Sequence, residues 1–269
     1  MKWTIGTVNY KSEIYMPWKL KMFHEFEDIE DFEYIIIDTT TNPDKKFFNE
    51  LTQIYPKVRV IYLDATPFIP IHSYSTLFWG KQDSGHHAAG LNTVLEEARK
   101  NNSDYIMIYD PDFFWVQRNM LKYFEAGFEN EGYSAMGAPY HFPIKIGDRQ
   151  FPSAFGSAYK VKDLENLDFT SGFFQEIYDG KDVGWKIRKA LSNKKFQSFS
   201  YSDVPIEERI KKDEETFKMW AGLQKYEFQN KRVAYHLIRG SQGSWHQTAE
   251  AYCQKFYNEL AQSEGLHVK

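Results

Sequence analysis

The chain has a single cysteine, Cys253, among 269 residues. No disulfide framework can form within it, and no cysteine zinc cluster. It has no run of about 18 apolar residues, the length a membrane span needs. The start, MKWTIGTVNY, reads as a strand rather than a signal peptide. An excess of basic charge is also missing: the formal net charge is −4. That balance gives no electrostatic case for a nucleic-acid partner. These absences together predict a cytoplasmic protein, with contact at the inner face of the membrane still compatible. The common nucleotide and hydrolase signatures are absent too. There is no GxxxxGK[ST], no GxGxxG after the first strand, no GxSxG elbow and no HExxH. A P-loop enzyme, a dinucleotide fold, an α/β-hydrolase and a zincin are thereby disfavoured. No internal repeat or low-complexity tract is visible.

What is present is a well-supplied core. Hydrophobic residues make up 42% and aromatics 17%, with 22 Phe and 18 Tyr. Aromatics fill interiors, and they also stack on sugars and bases. The stretch around which the rest is organised is NNSDYIMIYDPDFF, residues 102–114 approached from Asn101. Tyr105–Tyr109 suits a central strand, and Pro111 stops its ladder. Asp110 and Asp112 then flank one proline. If the backbone turns there, both carboxylates face one point, an oxygen-ligand arrangement suited to Mg²⁺ or Mn²⁺. The alternative is an ordinary Asx/Pro turn at a strand end.

Taken in order, the chain alternates strand and helix. Strands are predicted at Trp3–Val8, Tyr34–Ile37 and Val58–Leu63. Helices are predicted at Met16–Phe26, from Asn42 as cap to about Tyr55, and at Ser84–Lys100. Such a series implies a mostly parallel sheet covered by helices, with ligands outside the carboxyl ends of the strands. Gly85 and Gly90 in the third helix signal a close approach by another element. Beyond Phe114 the pattern changes. A helix over Gln117–Phe128 and strands at Tyr133–Ala138 and Ala154–Val161 are expected. A helix over Val183–Leu191, an edge strand at Phe196–Tyr201 and a late strand at Val233–Ile238 follow. A terminal helix runs over Trp245–Leu260, with Ala249, Tyr252, Phe256 and Leu260 on one face. A single domain is expected over residues 1–269. Its half 1–115 would bind the nucleotide, and its half 116–269 the acceptor.

Several polar residues stand at strand ends. Asp38 ends a buried strand, where it either caps the next turn or accepts a bond from a nucleobase. Asn92 lies in the third helix, either as a surface residue or as a brace for a ligand or the acidic turn. His86 and His87 are adjacent, and helix neighbours point in different directions, so they read as cap or surface residues rather than a metal pair.

On TVNYKS, YIIID, SGHHAAGLN and DYIMIYDPD, the chain resembles family 2-like, GT-A-fold nucleotide-sugar glycosyltransferases. The resemblance covers residues 1–115 and extends more loosely to about residue 245. It implies a three-layer α/β sandwich with a mostly parallel central sheet and a Rossmann-like N-terminal half. Thr7, Asn9, Tyr10 and Asp38 would contact the nucleoside, and Asn92 would sit beside the nucleotide. Asp110 and Asp112 would match the family's D-x-D and hold Mn²⁺ or Mg²⁺. Leu91 stands where such proteins often carry an arginine, so Lys81 would supply a phosphate or base contact. His236 is the first choice for a third metal ligand, and His246 the second. The loop from Arg239 to Trp245 would act as a cover, with Arg239 and Ser244 on phosphate oxygens and Trp245 shutting out water. Asp182 would be the general base of an inverting reaction or merely a helix cap, with Asp179 a lesser alternative; a retaining reaction would need no such base. Trp185 would stack on an acceptor sugar or simply pack.

The implied function is metal-dependent, hexosyltransferase-like transfer of a sugar. The donor would be a UDP-sugar or similar, and the acceptor a glycan or lipid-linked hydroxyl in surface polysaccharide or glycoconjugate synthesis. A sugar-phosphate nucleotidyltransferase is an alternative, although TVNYKS offers only Lys11 where such enzymes carry a basic glycine-rich loop. A non-catalytic binding or scaffold protein of the same fold is the other.

Overall fold

The structure is a computed structural model, and it describes residues 1–63, 83–139, 151–170, 183–205, 222–237 and 248–264. The first half follows the expected order. It runs β1 (Trp3–Asn9), α1 (Met16–Phe26), β2 (Phe32–Asp38), α2 (Lys45–Ile54), β3 (Val58–Tyr62), α3 (Asp83–Lys100) and β4 (Tyr105–Tyr109). Then come β5 (Phe113–Trp115), α4 (Met120–Glu129), β6 (Ala135–Pro139), β7 (Pro152–Lys160), α5 (Trp185–Leu191) and β8 (Phe196–Ser198). The last elements are β9 (Ser200–Asp203), β10 (Leu223–Phe228), β11 (Lys231–Leu237) and α6 (Ala249–Gln262).

Two sheets result. The larger has seven strands in the order β3-β2-β1-β4-β7-β6-β8, and the smaller has four in the order β5-β11-β10-β9. β1 pairs in parallel with both β2 and β4, and β2 with β3. Helical crossovers between these strands leave no other direction. β7 joins β4 antiparallel, as the changed pattern after Phe114 allows.

Strand residues alternate between two faces. Ile35, Ile37, Ile106 and Ile108 are buried with Ala88, Leu91, Leu95 and Ala98 of α3. Trp3, Ile5, Tyr34, Ile36 and Met107 are buried with Leu20 and Phe23 of α1, Phe48 of α2 and Phe124 of α4. Helices thus cover both faces of the large sheet, the expected three-layer α/β sandwich. α6 seals the small sheet: its predicted face, Ala249, Tyr252, Phe256 and Leu260, is buried with Phe114, Tyr235 and Leu237.

The close approach signalled by Gly90 is real and reciprocal. A methyl at Gly90 would lie 2.7 Å from both methyls of Val8, and one at Gly6 would lie 2.3 Å from a Val94 methyl. Each element offers a glycine where the other offers a valine, so α3 lies directly on β1.

Elsewhere the structure corrects the expectations. Helix α2 is capped by Asp44, whose side chain accepts from the Phe47 amide 3.0 Å away, and not by Asn42. Helix α4 begins at Met120 rather than Gln117, and its first amides find an acceptor far away in sequence. Met120 and Leu121 donate to the Glu27 carboxylate at 2.9 and 3.1 Å. Segment Phe196–Tyr201 is two strands, not one: the chain leaves the large sheet after Ser198 and enters the small one at Ser200. β5 and β10 are additional strands. Helix α5 opens at Trp185 after Gly184, which takes a left-handed φ of 79°. The helix thus starts two residues later than the expected Val183, and Asp182 lies outside the described residues.

Candidate active site

The acids occupy the corner at which the chain passes between the sheets. Tyr109 ends β4 in the large sheet, and Phe113 begins β5 in the small one. The intervening turn is pinned on every side. The Asp110 amide donates to the Phe155 carbonyl at 2.9 Å, and the Phe113 amide closes back on the Asp110 carbonyl at 3.0 Å. The Asp112 carbonyl accepts from the Leu237 amide at 2.9 Å. Because β11 pairs with β5, His236 stands opposite Phe113 and next to the acids.

Asp110, Asp112 and His236 each offer one ligand atom, and these atoms lie within 4.8 Å of one another. His236 Nε2 is 3.5 Å from Asp112 Oδ1. That gap is long for a hydrogen bond. It is about the spacing of two ligands that share one ion at ~2.1 Å. Asp112 is 2% exposed and His236 8% exposed. The His236 ring stacks on Phe155, with centroids 4.6 Å apart, and its buried Nδ1 has no partner among the described residues. Two carboxylates and one imidazole with this spacing fit a divalent ion such as Mn²⁺.

Two further basic groups border the turn. His87 of α3 places Nε2 3.0 Å from Asp110 Oδ1, with both side chains about a quarter exposed. The expectation of a surface or cap role for His87 is therefore corrected. Burial pushes the Asp110 carboxyl up, but His87, then His236 and Lys19, outweigh it, and its pKa ends below the usual range. Lys19 of α1 is only 2% exposed. Its ammonium donates to the Asp110 carbonyl and, at 3.0 Å, to the Phe113 carbonyl. It also lies 3.6 Å from the centre of the Tyr109 ring. Burial drives its pKa well down, and Asp112 and Asp110 oppose that shift.

Beside this corner, the carboxyl ends of β1 and β2 are stapled together. Asn9 and Asp38 face each other in register, and Asn9 Nδ2 donates to Asp38 Oδ2 at 3.1 Å. The Thr40 amide donates to the other carboxylate oxygen at 2.7 Å. Asp38 does cap its own turn. Burial raises its pKa against those hydrogen bonds, with Glu13 adding to the rise. Thr7 and Asn9 are fully buried, and Thr7 Oγ1 has no hydrogen-bond partner among the described residues. Tyr10 is partly exposed and meets His86 edge-on at 6.3 Å, on the side from which α3 brings His87. Asn92 is held elsewhere: its Oδ1 accepts from the Phe169 amide at 2.6 Å. Trp185 is half-buried at the first position of α5. Lys81, Asp182, Arg239, Ser244, Trp245 and His246 lie outside the described residues.

Sequence reasoning missed Lys19 and misread His87. A signal for Lys19 existed: it falls on the buried stripe of α1 between Met16 and Phe23, where a lysine needs a partner.

No protein-family model matches the chain, and no curated protein matches it. Solved structures do. The chain is similar to the mannosyltransferase PcManGT from Pyrobaculum calidifontis in complex with GDP-Man and Mn²⁺. The identity is 16% and the TM-score 0.50, over 73% of this chain and 54% of that one. The chain thus spans about half the length of that mannosyltransferase. It is also similar to S. aureus TarS 1–349 in complex with UDP. Here the identity is 12% and the TM-score 0.51, over 97% of this chain and 71% of that one. What is shared at these identities is the fold, the GT-A-like α/β sandwich with its largely parallel central sheet.

Proposed function

We propose that the chain is a metal-dependent glycosyltransferase acting on a nucleoside diphosphate sugar. The observation that carries this reading is the convergence of Asp110, Asp112 and His236 at the sheet corner, beside the carboxyl ends of β1 and β2. Ligands of open α/β sheets bind at such strand ends. The GT-A-like fold and the Mn²⁺ in the mannosyltransferase complex support it. The UDP in the TarS complex supports a UDP-sugar as donor. The reading includes a glycan or lipid-linked hydroxyl as acceptor and a role in surface polysaccharide or glycoconjugate synthesis.

The two acids and the imidazole would hold Mn²⁺ or Mg²⁺, which when bound offsets the negative charge of a departing diphosphate. His87 holds the Asp110 carboxylate from the α3 side. Tyr10 offers its partly exposed ring for a nucleoside, while Asn9 and Asp38 shape the floor beneath it. In the proposed inverting reaction an acceptor hydroxyl attacks the anomeric carbon as the sugar–phosphate bond breaks. Asp182 takes the hydroxyl proton, and Trp185 supports the acceptor. Lys81, Arg239 and Ser244 contact the diphosphate, and Trp245 closes the site.

Calorimetric titration of UDP with and without Mn²⁺ tests the reading. Mn²⁺ should tighten UDP binding by at least about tenfold, and Asp112→Asn should remove that gain in a folded chain. UDP and GDP both failing to bind, or binding equally without metal, would count against it.

A further inference from the structure

We infer that Lys19 is a positioning residue: it locks the turn Asp110–Phe113 so that the two acids are set for an ion before one arrives. The inference rests on the metal-site reading above. The turn has one internal bond, from the Phe113 amide to the Asp110 carbonyl. Lys19 adds a clamp across it, because its ammonium donates to the carbonyls of both the first and the last residue of the turn. An ammonium has three donors. Two go to those carbonyls, and the Tyr109 ring, 3.6 Å away, takes up the remaining face of the charge. The ring is itself fixed by a 2.9 Å hydrogen bond between the Tyr109 and Tyr34 hydroxyls. The lysine head group is therefore housed by the segment that carries the acids.

A clamp has one consequence that a bystander charge would not share. Asp110 and Asp112 would repel each other in the absence of an ion, and an opened turn would relieve that repulsion. The clamp forbids the opening. A bystander cation, by contrast, would only weaken binding of a second cation. Removing Lys19 therefore weakens Mn²⁺ binding if it is a clamp and strengthens binding if it is merely a nearby charge.

The experiment measures Mn²⁺ alone, by electron paramagnetic resonance, on the wild-type chain and on Lys19→Met and Lys19→Arg. Circular dichroism and thermal melts establish folding. The expected result is Mn²⁺ binding weakened about 10–100-fold in folded K19M, the range for residues that orient metal ligands. A changed Mn²⁺ spectrum should accompany it. K19R keeps the positive charge but puts a planar fork where one ammonium reaches both carbonyls, so it should recover only part of the affinity. Unchanged or tighter Mn²⁺ binding by folded K19M overturns the inference while leaving the metal site standing. No Mn²⁺ binding by the wild type overturns the site reading itself, and the clamp with it. If K19M does not fold, the wild type without metal decides: the ¹⁵Nζ signal of Lys19 should be sharp and slow to exchange, as expected of a group held by two carbonyls. A broad or fast-exchanging signal overturns the inference.

Discussion

Replacing Gly90 by alanine measures how tightly α3 is seated on β1. The added methyl would stand 2.7 Å from both Cγ atoms of Val8, which is itself buried. Comfortable carbon contacts begin near ~3.5 Å, so the overlap is close to an ångström on two atoms. Overpacking of that kind costs about 1–3 kcal/mol. Alanine returns about 1 kcal/mol of helix propensity relative to glycine. The expected net loss is about 1 kcal/mol. Unfolding entropy scales at about 2.1 cal/mol/K per residue, so for a chain of 269 residues the melting temperature should fall by about 2 °C. Val8→Ala alone removes two methyls and should cost about 1.6 kcal/mol or somewhat more. In the double variant the new methyl enters the vacated space, so the combined loss should be smaller than the sum by about 1 kcal/mol. Guanidinium unfolding followed at 222 nm reads all four species. A stabilised G90A, or strict additivity with V8A, would refute the reasoning. Since α3 also carries His87, the same variant should loosen the contact with Asp110.

Other outcomes follow from single groups. On the proposed function, chelation with EDTA should abolish sugar transfer, and Mn²⁺ should restore it. His236→Ala should raise the Mn²⁺ concentration needed for half activity by about 10–100-fold, whereas equal metal dependence in variant and wild type would remove His236 from the site. Glu27 has its pKa raised by burial from 4.5 to about 8, even though the Met120 and Leu121 amides favour its charged form. An acid raised in the folded state stabilises it when protonated. That contribution is complete below about pH 4.5 and is lost as the pH rises through 8. Stability measured from pH 5 to 8 should fall more in the wild type than in Glu27→Gln; parallel profiles would contradict this. Cys253 is fully buried and burial pushes its thiol pKa up, so it should resist alkylation until the chain unfolds. Rapid labelling of the native protein would show that α6 undocks.

The N-terminal half was legible because its signals are local. Tyr34–Ile37 of β2 and all of β4 are apolar or aromatic runs, α1 keeps a helical apolar period, and Pro111 marks the corner plainly. The small sheet was harder to see. β5 is three residues long and β10 carries mixed polarity, so neither has a period of its own. The pairing of β5 is decided by β11, far along the chain, while β10 forms an antiparallel hairpin with that same strand. Phe196–Tyr201 looked like one strand since nothing at Phe199 announces a change of sheet. The acids and His236 could be named beforehand, and their convergence is seen in the structure. Lys19 escaped because a lysine is ordinarily assigned to a helix's wet side, and His87 because adjacency to His86 says nothing about which of the two turns inward.

The corner between the sheets has a bearing on how the protein is made. A chain growing from the ribosome exposes both carboxylates early, but the imidazole appears only when β11 is synthesised and zipped onto β5. Nascent fragments that stop short of that strand would hold the ion poorly. On the proposed metal site, tight capture of a cation would come late in biogenesis, only once the second sheet has closed.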